Sequence, residues 1–140
     1  MKYLRYILIS LSLMMSVCRA DIYVIVNQKN SSSEMTKNEV SALYLGRYQA
    51  FRDGTFSLPF DQPADSQTRA DFYRLLTGKN IEYINAYWAR VLFTGRATPP
   101  RQLDNDAAIA EVVRQNVSAI GYVSDKSVTS NTKIVLTLKE

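Results

Sequence analysis

Histidine is absent from the 140 residues, and cysteine occurs once, as Cys18. Without an imidazole or a second thiol the chain can form no Ser-His-Asp triad, no His/Cys zinc site and no intrachain disulfide. Glycine (5) and proline (4) are sparse as well, so collagen-like and low-complexity architectures are excluded. An enzyme built from this set would depend on carboxylates, Lys, Tyr or Ser. The carboxylate pairs close in sequence, Asp61 with Asp65 and Asp104 with Asp106, each sit beside an expected helix start. Asp is an ordinary capping residue there, which argues against acid/base catalysis.

The first twenty residues read as a secretory signal peptide. "MKYLRY" carries the positive charges Lys2 and Arg5, "ILISLSLMMSV" is an apolar run too short to span a bilayer, and "CRA" ends in a small residue. Export to the periplasm with cleavage after Ala20 is the expectation. Cys18 is read as the small residue at the minus-three position, since Val17 before it is too large for a lipid-anchor signal. Three of the 17 basic residues (Lys2, Arg5, Arg19) and none of the 13 acidic ones would leave with that segment, so residues 21–140 carry a net charge of +1. The basic character belongs to the targeting segment, and no basic stripe with interleaved aromatics is left to bind nucleic acid. About 120 residues then make one domain with a single core.

"DIYVIVNQ" is a nearly continuous apolar run with β-branched residues, which predicts a buried strand inside a sheet covered on both faces. "TKNEVSALYLG" sets Thr36 and Glu39 in capping-box spacing and stops at Gly46, predicting a short helix with Val40, Leu43 and Tyr44 inward. The turn Asp53-Gly54 precedes "TFSLPFD", a second strand with Phe56, Leu58 and Phe60 on one face and Pro59 at an edge or strand end. A helix over about 66–76 follows, with Ala70, Phe72, Tyr73 and Leu76 apolar and Gly78 beyond its end. Asn80 caps "IEYINAYWARVLF", in which Ile81, Ile84, Trp88, Val91 and Leu92 recur at helical steps. Tyr87 and Trp88 read as packing residues of that helix. "TGRATPPRQLDND" is expected to be a long loop, because Gly95, Pro99 and Pro100 oppose regular structure. "AAIAEVVRQN", capped near Asn105 or Asp106, is a last amphipathic helix before two closing strands, "AIGYVS" and "KIVLTL". The order β-α-β-α-α-α-β-β predicts a three-layer α/β domain with a mixed sheet. Asn30-Ser31-Ser32 and Asn116-Val117-Ser118 match glycosylation sequons and are read as incidental.

Ser66, Gln67, Thr68 and Arg69 stand in a row where the second helix must begin. A helix start presents unpaired N–H groups and partial positive charge, so these residues can hold an anion; an N-cap with a solvated Arg is the other reading.

The order of "IYVIVNQ", "MTKNEVSALYLGR", "LPFDQPADSQTRADFY", "YWARVLFTGRATPP" and "AIGYVS" resembles the periplasmic phosphate-binding proteins of ABC-type phosphate transporters, and most of all their small single-lobe relatives. That resemblance implies one lobe of a type II periplasmic-binding-protein-like fold, a mixed sheet flanked by helices. It implies phosphate or a similar oxyanion as ligand, no cofactor or metal, and no catalysis. In the full-length family an Arg, then after three residues a Ser-Gly-Thr at a helix start, hold the phosphate oxygens. Ser66 and Thr68 match the Ser and Thr, Gln67 replaces the Gly, and Gln62 stands where the Arg would be. Arg69 is adjacent, turned by about 100° on the helix. A chain resembling one lobe lacks the opposite half of the cage, so weak, roughly millimolar binding is the expectation. The alternative is a periplasmic interaction module that has lost its ligand and docks a sensor, a transporter component or another copy of itself. Its patch would be Tyr44, Tyr48, Phe51 and Arg52 with Arg96, Pro99 and Pro100, although Tyr44 and Phe51 also read as core.

Overall fold

The computed structural model describes residues 21–140; the signal peptide expected over 1–20 lies outside them. The elements are β1 (Ile22–Asn27), α1 (Lys37–Tyr44), β2 (Leu58–Asp61), α2 (Gln67–Thr77), α3 (Ile81–Thr94), β3 (Arg101–Gln102), α4 (Asp106–Gln115), β4 (Ala119–Val123) and β5 (Thr132–Leu138), with a short 3-10 turn at Lys126–Thr129. They form one mixed sheet of strand order β3-β2-β4-β1-β5. β2 runs parallel to both β3 and β4, whereas β1 is antiparallel to β4 and β5. The sheet separates two apolar layers. On one face α1, α2 and α3 bring Val40, Tyr44, Phe72, Tyr73, Ile84 and Trp88 against Val24, Ile120 and Tyr122. On the other, α4 brings Ile109, Ala110 and Val113 against Ile25, Ala119 and Val123. This is the expected three-layer α/β architecture, and the near-continuous apolar strands β1 and β4 are those covered on both faces.

Local chemistry sets the helix ends. The Thr36–Glu39 capping box forms, with Glu39 N–H donating to Thr36 Oγ1 at 3.2 Å and Thr36 N–H to Glu39 Oε2 at 2.7 Å. Ser66, Asn80 and Asn105 cap α2, α3 and α4. Gly121 in β4 allows α4 to lie close to the sheet: a Cβ there would come within 2.4 Å of Ile109 Cγ2.

Three expectations need correction. The segment after Pro100 is not all loop: Arg101 and Gln102 form β3, paired in parallel with Phe60 and Asp61, because the prolines end before those two N–H groups are needed. The second strand is shorter than "TFSLPFD"; of Phe56, Leu58 and Phe60 only Phe60 is buried, since β2 enters the sheet at Leu58. Leu92 is 51% exposed, because α3 packs through Ile84 and Trp88 and diverges from the core at its C-terminal end. Pro59 lies on β2 before the β3 pairing begins, so its missing N–H leaves no gap on that side.

Candidate functional site

The parallel strands β2 and β4 finish at the same end of the sheet, and both α2 and α4 begin there. β2 ends on Asp61, which is only 2% exposed. Its Oδ2 accepts from Arg69 Nε at 3.2 Å and from the Tyr73 hydroxyl at 2.9 Å, while Oδ1 accepts from Gln62 N–H at 2.9 Å and from the Tyr122 hydroxyl. Arg69, 5% exposed, also donates from Nη1 to Asn85 Oδ1 of α3 at 3.1 Å and lies 5.3 Å from the Tyr73 ring centre. A buried carboxylate is thus matched by one guanidinium and two phenols, which is what a buried charge requires. The phenols respond to it. Tyr44, Tyr73 and Tyr122 are all held well above the ordinary tyrosine pKa, first by burial and then by the negative charge of Asp61. Phe72 stacks on Tyr122 at 3.6 Å and meets Tyr44 edge-on at 4.8 Å, so the rings fix the hydroxyls in place.

Gln62 belongs to the same buried layer. Its Nε2 donates to Asp106 Oδ1 at 2.8 Å and to the Tyr122 carbonyl at 3.0 Å. Asp106, the first residue of α4, accepts through Oδ2 from Ser124 N–H and Oγ at 3.0 Å each and from Asp125 N–H at 2.9 Å. The start of α4 is therefore occupied by the chain's own carboxylate, as its positive end favours.

The start of α2 is different. Ser66 Oγ accepts from Arg69 N–H at 3.3 Å, and the Gln67 side chain donates to Asp71 Oδ1 at 2.9 Å. Among the described residues the N–H groups of Gln67 and Thr68 and the hydroxyl of Thr68 have no partner. Of the five predicted site residues, the structure thus places Ser66, Gln67 and Thr68 together at an open helix end. It turns Arg69 and Gln62 inward, to Asp61 and Asp106.

A cavity of about 660 Å³ lies elsewhere, between the loop after β1 and the loop after α1; Met35, Leu43 and Phe51 floor it and the Glu39–Arg52 ion pair lines it. A second, of about 290 Å³, is lined by Tyr48, Phe56, Leu58, Pro59, Pro99 and Pro100 among others. The predicted docking patch is divided accordingly: Tyr44 and Phe51 are buried in the core, whereas Tyr48 and Arg52 are exposed.

Asp61 is expected beside a helix start as a capping residue and α4 is expected to be capped near Asn105 or Asp106; Ser66 and Asn105 are the caps, and Asp61 and Asp106 hold the layer beneath. The available signal was tyrosine. Tyr44, Tyr73 and Tyr122 occupy apolar-face positions, and buried phenols need acceptors.

Against solved structures the chain aligns over 83% of its length with an ABC-type phosphate transport receptor from Vibrio cholerae, at 19% identity and a TM-score of 0.64. The fold is that of the ABC-transporter phosphate receptors. A provisionally assigned phosphate ABC transporter substrate-binding protein from Clostridium perfringens, solved with bound phosphate, gives the same TM-score of 0.64 at 20% identity and 83% coverage. PstS from Borrelia burgdorferi gives 0.60 at 12% identity, again over 83% of this chain. The aligned region is 46%, 45% and 47% of those three chains, so this chain spans under half the length of the phosphate receptors whose fold it shares. No protein-family model matches the sequence, and no curated protein matches it. The two helix starts of α2 and α4 lie at the ends of β2 and β4. In this chain one is filled by Asp106 and the other is open.

Proposed function

We propose that the protein is an exported, non-catalytic binding module of the periplasm that takes phosphate or a similar oxyanion at the start of α2. The observation that carries this reading is the set of free donors there: the N–H groups of Gln67 and Thr68 and the Thr68 hydroxyl, at the first turn of an 11-residue helix in a phosphate-receptor fold. Ser66 orders that turn as its cap, and the Asp61–Arg69 pair and Gln62 hold it from below. Arg69 spends its charge on Asp61, so the anion gains from it chiefly through long-range field. A helix end contributes up to about 2 kcal/mol and neutral hydrogen bonds about 1 kcal/mol each. Over the three donors the total is at most about 5 kcal/mol, a dissociation constant of about 0.2 to 1 mM. Among the described residues no helix is long and apolar enough to cross a membrane.

The test is calorimetric titration of the purified protein with phosphate and with sulfate at fixed ionic strength, beside Thr68→Val and Ser66→Ala. Saturable millimolar phosphate binding, weakened several-fold by Thr68→Val, is the expected result; no binding heat up to about 10 mM would overturn it. One observation favours docking of a transporter component or sensor protein instead: exposed Tyr48, Phe56 and Leu58 line the smaller cavity together with three prolines.

A further inference from the structure

The outward face of α3 has no role in the phosphate reading. Ile84 and Trp88 turn this helix to the core, and Glu82, Tyr83, Ala86, Ala89, Arg90 and Phe93 are exposed on its other side. At about 100° per residue these six fall within roughly 120° of arc. Phe93 is 95% exposed and Tyr83 47%. Tyr83, Ala86, Ala89 and Phe93 are the apolar members of this arc, and Glu82 and Arg90 lie within it, about 40° to either side of Ala86. Neither charge has an ion-pair partner among the described residues.

The spacing of these residues is self-complementary. Glu82 and Arg90 stand four residues before and after Ala86, each about 6 Å along the axis from it. We infer that α3 is a homodimer interface, in which two copies pair their α3 helices antiparallel about a two-fold axis at Ala86. In that arrangement Glu82 of one copy lies level with Arg90 of the partner subunit, and the symmetry makes the contact twice, as in any isologous interface. A parallel pairing would set Glu82 against the partner's Glu82 and Arg90 against the partner's Arg90, so the charges select the antiparallel register. Ala86 and Ala89 at the crossing permit close approach of the two helices. Phe93, seven residues from the axis, reaches the end of the partner helix near the partner's Tyr83, which removes a nearly fully exposed ring from water.

The test is sedimentation of the protein, purified after expression of the full sequence, from about 1 µM to about 1 mM, comparing wild type with Glu82→Arg, Arg90→Glu, the double reversal and Phe93→Ser. Wild type is expected to show reversible dimerisation, each single reversal to weaken it about tenfold or more, and the double reversal to restore it to within about threefold. Phe93→Ser should weaken it without any dependence on salt. Circular dichroism confirms folding of each variant. A protein monomeric at every concentration would overturn the inference. So would a dimer indifferent to the reversals, or a double reversal no tighter than the singles.

Discussion

Replacing Asp61 by Asn leaves the shape of the side chain nearly unchanged and removes the one negative charge facing Arg69. The guanidinium would then stay 5% exposed, with Asn85 Oδ1 and the Tyr73 ring as its remaining partners. Removing one member of a buried pair costs about 3 to 5 kcal/mol, because the other charge is left desolvated. The carboxylate also accepts from two phenols, and an amide can satisfy them only by turning its oxygen to one and its NH₂ to the other. The upper part of that range is therefore expected. Since domains of this size have total stabilities of about 5 to 15 kcal/mol, the loss would consume a large share. At about 4 °C per kcal/mol the melting temperature should fall by roughly 16 to 20 °C. Urea unfolding followed by far-UV circular dichroism gives the free energy directly, and an unchanged slope against denaturant certifies that the same transition is compared. Asp61→Asn combined with Arg69→Met removes both charges and should recover part of the loss. A loss below about 1 kcal/mol for Asp61→Asn alone would refute the reasoning, since it would mean that Arg69 finds water or another partner at no cost.

Two further predictions follow from the same layer and its neighbour. Tyr44, Tyr73 and Tyr122 have folded-state pKa values raised above their unfolded value, so the stability they contribute is complete below the unfolded pKa of about 10 and is lost as pH rises beyond it. In an absorbance titration at alkaline pH these three should ionise only together with loss of the circular-dichroism signal; their ionisation in a still-folded protein would contradict the packing. Gly121→Ala places a methyl group 2.4 Å from Ile109 Cγ2 and should destabilise the protein by about 1 to 3 kcal/mol in the same urea assay; in an Ile109→Ala background, which lacks that Cγ2, the added loss should be smaller.

The buried layer also bears on the proposed anion site. Arg69 is one residue beyond Thr68, and that single step on a helix rotates its side chain away from the open end and into the sheet. Gln62, at the position where the phosphate receptors are expected to carry an Arg, reaches across to α4 through an amide that needs no counter-charge. Gln62 thus ties β2 to α4, and Arg69 ties α2 to β2.

Elements whose signals are local could be read from the residues alone. The capping box at Thr36 and Glu39, the caps Ser66, Asn80 and Asn105, the stops at Gly78 and Gly95 and the apolar runs of β1 and β4 all act over a few residues, and each lies where its chemistry predicts. The open donors at Gln67 and Thr68 belong to this class, because a helix start exposes N–H groups wherever it occurs. Only the tertiary structure decided what Asp61, Gln62 and Arg69 do. Their hydrogen-bonding partners Tyr73, Asn85, Asp106 and Tyr122 are 12 to 61 residues away from them along the chain, and no period or spacing links residues that meet only when the helices are laid on the sheet. β3 is of the same kind. Two residues carry too little pattern to declare a strand, and Arg101 and Gln102 become one because Phe60 and Asp61 present an open edge to them. The direction of a charged side chain near a helix end is settled by whichever buried group must be neutralised, and here that group is Asp61.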